Sequence, residues 1–310
     1  MNFGSSLPVP SVQELAKENL AHVPPRYLHP HQQHFLISHV DGLFHGIPVV
    51  DMQNLLSEEA GNSELAKLHL ACKEWGFFQL INHELDSNFL DKIKLEIRDF
   101  FNLAMSEKKK FWQSPQDVEG DTLECYSEQL NNIAMTIFGH VAKVLESKEI
   151  KELFEDGTQI LRINYYPPCP EPEKVIGLTP HSDGAGLTIL LQVNEVDGLQ
   201  IRKDGLWVPV KPLPNAFIVN VGDVLEIITN GVYRSIEHRA RVNSEKERIS
   251  IAAFHSVRQD GVIGPAASLI SEQKPAGFKR IGLAEYYRSR YARKLDGKSH
   301  LDAFKIEHQN

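Results

Sequence analysis

Apolar residues return at helical spacing through the first half of the chain and at strand spacing through the second, with the change near Gln159. Leu65, Leu68, Leu70 and Ala71 predict a helix over Ser63 to Trp75, with Ser63 as its N-cap and Gly76 as its breaker. Short strands are expected on either side, at Ile47 to Met52 and at Phe77 to Asn82. Leu90, Ile93, Ile97, Phe100 and Phe101 extend a helix over Ser87 to Met105, and Leu130, Ile133, Ile137, Val141 and Val144 another over Leu123 to Leu145. Residues 1–46 hold one short helical candidate, Val12 to Leu20, and then a polar run rich in His, Gln and Pro; they read as a leader, mobile or draped over the surface.

Beyond Gln159, brief apolar runs alternate with Gly, Asp, Asn and Pro turns: Leu187 to Val193, Leu199 to Ile201, Leu206 to Val210, Ala216 to Val221 and Ile249 to Phe254. This is the rhythm of a compact antiparallel barrel or jelly roll with the earlier helices packed on its outside. The expected fold is therefore mainly β with flanking helices. Its divisions are a leader at 1–46, an α/β region at 47–158, a jelly-roll core at 159–260 and a helical extension at 261–310.

The chain has 310 residues, 42% of them hydrophobic, which suffices for a sizeable core. A net charge of -8 argues against a polyanion-binding surface, so no nucleic-acid partner is expected. The basic clusters, Lys108 to Lys110 and Arg288, Arg290, Arg293 and Lys294, read as solvated helical faces. No apolar run reaches the ~18 residues of a membrane span and no secretory leader opens the chain, so a cytoplasmic monomer is expected. Cys72, Cys125 and Cys169 form no CxxC pair and are expected to be reduced thiols, mostly buried.

The chemistry concentrates at His181-Ser182-Asp183, with His238 57 positions after His181 and Arg248-Ile249-Ser250 ten after His238. On extended chain, His181 and Asp183 project to one side and Ser182 to the other. With His238 they form a two-imidazole, one-carboxylate set suited to one face of an octahedral iron(II) site. Arg248 and Ser250 share a side in the same way, and a guanidinium fork with a hydroxyl suits a carboxylate partner. Taken singly, an HxD pair is common by chance and Arg248 is a candidate surface salt bridge. A metal-dependent hydrolase or isomerase on a similar barrel would need the triad but would have no use for Arg248 and Ser250.

These residues, together with Asn164 to Pro170, Gly186 to Leu190, Gly198 to Ile201, Asn220 to Asp223 and Trp75 to His83, resemble the plant 2-oxoglutarate and iron(II)-dependent dioxygenases. The resemblance covers nearly the whole chain and points within that family to the SRG1-like group, which includes the alkaloid O-demethylases. It implies a double-stranded β-helix core, with iron(II), 2-oxoglutarate and dioxygen as reactants and ascorbate as activator. It also implies iron ligands at His181, Asp183 and His238, and a 2-oxoglutarate site at Arg248, Ser250 and Tyr166 with Asn164 as a weaker contact. Phe254 resembles an aromatic that stacks on substrate in some members, while core packing explains it equally well. Tyr165 is read as barrel packing, and His83 has no metal role although Glu84 replaces the glycine usual after it. The implied activity is hydroxylation or O-demethylation of a small aromatic specialised metabolite, with release of succinate and carbon dioxide.

In one respect the chain departs from that family. Between Gly120 and Asp121 it lacks a segment on the order of 50 residues, whose loss exposes sheet edge and apolar surface unless the helices close the gap. The alternative expectation is accordingly a truncated, catalytically poor paralogue that binds iron but lacks a complete substrate pocket.

Overall fold

The structure, a computed structural model, describes residues 10–18, 20–28, 46–108, 110, 121–293 and 297–306. In chain order the helical half comprises α1 (Val12–Lys17), β1 (Val49–Asp51), α2 (Met52–Leu56), α3 (Gly61–Leu70), β2 (Phe77–Ile81), α4 (Ser87–Asn102), α5 (Met105–Lys108), α6 (Asp121–Val144) and α7 (Lys148–Glu155). The strand half follows as β3 (Thr158–Tyr166), β4 (Leu178–His181), β5 (Leu187–Gln192), β6 (Leu199–Lys203), β7 (Leu206–Pro209), β8 (Phe217–Val221), α8 (Asp223–Ile228), β9 (His238–Ala240) and β10 (Arg248–Ser256). A small pair, β11 (Val262–Ile263) and β12 (Ile281–Gly282), precedes α9 (Leu283–Tyr291) and α10 (Ser299–Asp302).

Two sheets face each other as in a jelly roll. One runs β1-β2-β8-β5-β10-β3 and the other β4-β9-β6-β7. Apart from the parallel β1–β2 pair, every pairing in these two sheets is antiparallel. Period-two alternation gives the larger sheet two distinct faces. Leu187, Ile189 and Leu191 of β5, Val219 of β8 and Ile251 and Ala253 of β10 belong to the main core with Ile133 and Ile137 of α6. Phe138 of α6 stacks on Phe154 of α7 at 3.8 Å between ring centroids, which anchors the helical layer. On the opposite, inward face, Phe77 and Ile218 join Leu199, Ile201 and Val208 of the smaller sheet in a second cluster that closes one end of the barrel.

Several element boundaries differ from expectation for identifiable reasons. Ser63 lies inside α3, and it is the Ser57 hydroxyl that accepts from the amides of Glu59 and Ala60 in the turn leading to the helix. Buried Glu64 accepts the Asp51 amide at 2.8 Å, which ties the start of α3 to β1. The helix then widens at Ala71–Trp75 and stops at Gly76, whose φ of +62° and close approach to Arg234 leave no room for a side chain. The predicted Ser87–Met105 helix breaks at Leu103, and the leader helix ends at Lys17. Lys108 is not solvated: it is buried, donating to the Phe101 carbonyl at 3.0 Å and to Gln13 of α1 at 2.5 Å. The described part of the leader thus rests against the body of the protein. Of the cysteines only Cys72 is buried; Cys125 lies on the outer side of α6 and is exposed, and Cys169 is intermediate.

The expected gap between Gly120 and Asp121 falls at residues 111–120, which lie outside the described residues. Among the described residues β3 pairs with β10 on one side and with no strand on the other. Ile160 of that strand is 59% exposed, an unusual state for isoleucine in a nine-residue strand.

Candidate metal and co-substrate site

β4 ends at His181 and β9 begins at His238, and the antiparallel register sets the two residues opposite each other. Asp183 follows in the turn after β4, where its own carbonyl accepts the Asp223 amide at 2.7 Å. Ser182 turns the other way, donating to the Asp223 carboxylate at 3.1 Å. One ligand atom from each of His181, Asp183 and His238 lies within 4.8 Å of the others, and all three residues are buried. Each imidazole is held by its Nδ1, against the Thr179 carbonyl at 2.7 Å for His181 and the Ile236 carbonyl at 3.2 Å for His238. A donated Nδ1–H fixes the tautomer whose Nε2 carries a lone pair, the state a metal requires. The two Nε2 atoms stand 3.5 and 3.6 Å from Asp183 Oδ1. The other carboxylate oxygen is already used, accepting from Thr188 Oγ1 at 2.7 Å and Asn220 Nδ2 at 2.9 Å.

Electrostatics favour the same state. Burial works against ionised Asp183, but His238, His181 and the Asn220 amide outweigh it and hold the carboxyl well below the usual range. Burial also pushes His238 down to about 4, so its imidazole is neutral near pH 7. The site therefore offers two imidazole nitrogens and one carboxylate oxygen converging on a point, a donor set that fits iron(II) with one octahedral face left open.

A cavity of about 780 Å³ extends from this triad along the inward face of β3 and β10. Register orders its walls in rows: Arg248 opposite Tyr166, Ser250 opposite Asn164 and Gln192, Ala252 opposite Arg162 and Leu190, Phe254 opposite Ile160 and Thr188. Arg248 is 2% exposed, donates to Gln192 Oε1 at 3.1 Å and lies with its guanidinium carbon 5.5 Å from the centre of the Tyr166 ring. Gly198 makes room for it, since a Cβ there would stand 2.7 Å from Arg248 Cδ. The Nε of Arg248 and the Oγ of Ser250 are both buried without a partner. Orphaned buried donors are rare and costly, and a bound carboxylate would satisfy both.

The structure thus brings His181, Asp183, His238, Arg248, Ser250, Tyr166 and Asn164 into one cavity, with Phe254 in its wall. Tyr165 points away, packing on Phe101 at 4.8 Å, and His83 is remote, its Nε2 2.7 Å from the Asn215 carbonyl. Glu84 adopts a φ of +68°, which explains why a glycine suits that position.

Sequence reasoning missed a buried brace behind the metal ligands. Asp223 accepts from Ser182, Ser235 and Tyr286, pairs with Arg290 at 2.9 Å and meets His300 at 2.6 Å. Arg290 also donates to the Ser182 carbonyl. Its reading as part of a solvated face was incorrect: α9 turns Arg290 inward, while Arg288 remains exposed as expected. Lys294 lies outside the described residues. The nearest signal was the Gly222-Asp223 turn, whose carboxylate only the folded chain connects to α9.

Residues 157–257 match the pattern of the 2OG-Fe(II) oxygenase superfamily, and residues 47–168 that of the non-haem dioxygenase in morphine synthesis N-terminal region. Protein SRG1 of Arabidopsis thaliana is 51% identical over 349 residues, covering 97% of this chain and 98% of that protein. The chain belongs to the 2OG-Fe(II) oxygenase superfamily. Oxoglutarate-dependent flavonoid 7-O-demethylase 1 of Ocimum basilicum is 47% identical, over 98% of this chain and 93% of that protein. The crystal structure of JOX2 in complex with 2OG, Fe and JA superposes with a TM-score of 0.86 at 32% identity, covering 97% of this chain and 99% of that one.

The jelly-roll architecture and the use of iron(II), 2-oxoglutarate and dioxygen follow from this membership. Since 97% of 310 residues is about 301, roughly 48 of the 349 aligned positions have no counterpart in this chain.

Proposed function

We propose that this dioxygenase hydroxylates or O-demethylates a small aromatic specialised metabolite and releases succinate and carbon dioxide. His181, Asp183 and His238 hold the iron. Arg248 and Ser250 take the distal carboxylate of 2-oxoglutarate, with Tyr166 as a hydroxyl partner and Asn164 beside it. The observation that carries this reading is the pair of buried, unpartnered donors on Arg248 and Ser250 in the same cavity as the triad. Support for aromatic O-methyl substrates comes from relatives named as flavonoid 7-O-demethylase, codeine O-demethylase and thebaine 6-O-demethylase, at 46–47% identity.

When bound, iron(II) with 2-oxoglutarate supplies the oxidising power drawn from dioxygen. The chain's own contribution is placement. Arg248 and Ser250 fix one end of the co-substrate, Thr188 and Asn220 keep Asp183 in its rotamer, and Leu190, Ala252 and Phe254 line the space beside the triad. Insertion of one oxygen atom into a C–H bond gives an alcohol. At an O-methyl carbon the product is a hemiacetal, which collapses to formaldehyde and a free hydroxyl. The reading of a catalytically poor paralogue is not favoured, because His181, Asp183, His238, Arg248, Ser250 and Tyr166 are all present and buried, with Asn164 half-buried beside them.

Anaerobic addition of iron(II) and 2-oxoglutarate should produce a metal-to-ligand charge-transfer band. The band should vanish in His181→Ala and need far more 2-oxoglutarate in Arg248→Ala. An unchanged 2-oxoglutarate affinity in Arg248→Ala would refute the anchor. Stoichiometric succinate and formaldehyde from an O-methylated flavonoid would establish the demethylation, and hydroxylated product without formaldehyde would select the alternative outcome.

A further inference from the structure

A second cavity, of about 680 Å³, lies outside the barrel beneath the leader. Val12, Leu15 and Ala16 of α1 recur at helical spacing and line it together, so the apolar side of that helix roofs the space, and no residue of α1 is buried. Pro24, Pro167, Pro168 and Pro170 form much of its wall, and a proline has no amide hydrogen to offer a ligand. Among the described residues no carboxylate and no lysine lines the cavity. Its roof is fixed at both ends. Gln13 donates to the Phe101 carbonyl at 2.8 Å, and the Val23 amide donates to the Glu171 carboxylate at 2.9 Å. The space is thus preformed, falls within the roughly 300–1,000 Å³ of small-molecule sites, and suits an uncharged, apolar occupant.

The occupant is indicated by what the two cavities share. Arg162, Asn164 and Tyr166 of β3 and Leu178 of β4 line both this cavity and the one that contains the metal triad. β3 and β4 are the outer strands of the two facing sheets, and among the described residues no ladder joins them. The partition between the cavities is therefore made of side chains, which can turn aside, and not of paired backbone. Its two ends differ. At one, Tyr166 packs against Gly177, where a Cβ would stand 2.8 Å from the ring, and belongs with Asn164 to the co-substrate site. At the other, Arg162 stands opposite Ala252, whose small side chain leaves room beside it.

We propose, resting on the dioxygenase reading above, that the outer cavity is a second lobe of the substrate site. The aromatic ring of the substrate lies beside the triad, and an apolar appendage, an alkyl or prenyl chain, passes the Arg162 row and ends beneath α1. One molecule spanning both lobes accounts for a wall shared between the metal site and an apolar chamber that carries no reactive group of its own. Compact aromatics still enter the inner cavity, but without the burial that the appendage adds. Leu15, Ala16 and Val175, which line only the outer lobe, are thereby specificity-determining residues.

The test uses a series of neutral para-methoxyphenyl ketones whose alkyl group is methyl, propyl, pentyl or heptyl. Each is titrated calorimetrically, without oxygen, into the full chain loaded with iron(II) and 2-oxoglutarate. Affinity should climb with chain length by up to about fourfold per buried methylene, with one molecule bound per chain. Ala16→Trp and Val175→Trp fill the outer cavity from opposite walls, so a folding fault in one leaves the other to decide. Either should flatten the series beyond its shorter members.

Equal affinity for the propyl and heptyl ketones in wild type overturns the proposal. So does a rise with chain length that survives in both filled variants, or a second heptyl ketone bound per chain, which would make the outer cavity an independent site. A fall in 2-oxoglutarate affinity in both filled variants, measured without any ketone, assigns the outer cavity to the co-substrate and overturns it too. If wild type shows no charge-transfer band, the dioxygenase reading fails, and the same series in metal-free protein still decides whether the two cavities hold one molecule.

Discussion

Replacing Arg290 by glutamine should weaken both the fold and the iron site. The guanidinium of Arg290 is only 10% exposed, pairs with fully buried Asp223 at 2.9 Å and also holds the Ser182 carbonyl. Removing one partner of an isolated buried ion pair costs about 3–5 kcal/mol. Here Ser182, Ser235, Tyr286 and His300 still surround Asp223, so the loss should lie nearer that of one charged hydrogen bond, about 2–3 kcal/mol. In a chain of this length that corresponds to a fall in melting temperature on the order of 5 °C. Ser182 and Asp223 contact the segment that carries Asp183, so iron affinity should fall with stability. The pH dependence has a definite sign. Burial opposes the charge on Asp223, but His300 and Arg290 outweigh it and hold its carboxyl below the ordinary value. A depressed carboxyl contributes stability above its unfolded-state value near pH 4 and loses it as pH falls towards the folded-state value. The difference between wild type and Arg290→Gln should therefore be full near neutrality and shrink below about pH 4. Differential scanning calorimetry across pH, with exposed Arg288→Gln as control, measures it. Equal melting curves for the Arg290 and Arg288 variants at neutral pH would refute the brace.

Gly76→Ala should destabilise by about 2 kcal/mol or more in urea unfolding, because its Cβ would stand 2.3 Å from the Arg234 carbonyl oxygen at a φ of +62°. Glu84→Gly should act oppositely, stabilising by about 0.5–1 kcal/mol in the same assay, since φ is +68° there and a side chain gains nothing from it. The margin of β3, which no described strand covers, with exposed Ile160 should give concentration-dependent association in sedimentation velocity, and Ile160→Lys should suppress it; a wild type that stays monodisperse to its solubility limit contradicts this. Ser250→Ala removes one orphaned donor and should weaken 2-oxoglutarate binding roughly five- to tenfold, less than Arg248→Ala, as read from the charge-transfer titration.

What was readable in the chain, and what was not, divides along a physical line. His181 with Asp183 and Arg248 with Ser250 were legible because their side chains are chemically specific and a period of two is enough to set them on one face. Arg290 and Arg288 are the same residue type two positions apart on α9, so local sequence gave no reason to separate them. Only the arrival of Asp223 beneath one side of that helix does so. Lys108 belongs to the same class: within its basic run it looks solvated, and the Phe101 carbonyl and Gln13 that bury it come from other elements. The edge of β3 is subtler. Along β3 the alternation of the folded strand sets Ile160 and Arg162 on the inward face, but alternation carries no information on whether a neighbouring strand will be present to cover them. The roughly 48 positions by which SRG1 exceeds this chain bear on that question, because among the described residues no strand pairs with the side of β3 away from β10. Ile160 is 59% exposed along that margin and also lines the cavity beside the triad, so the strand most at hazard of association is one that helps to wall the site.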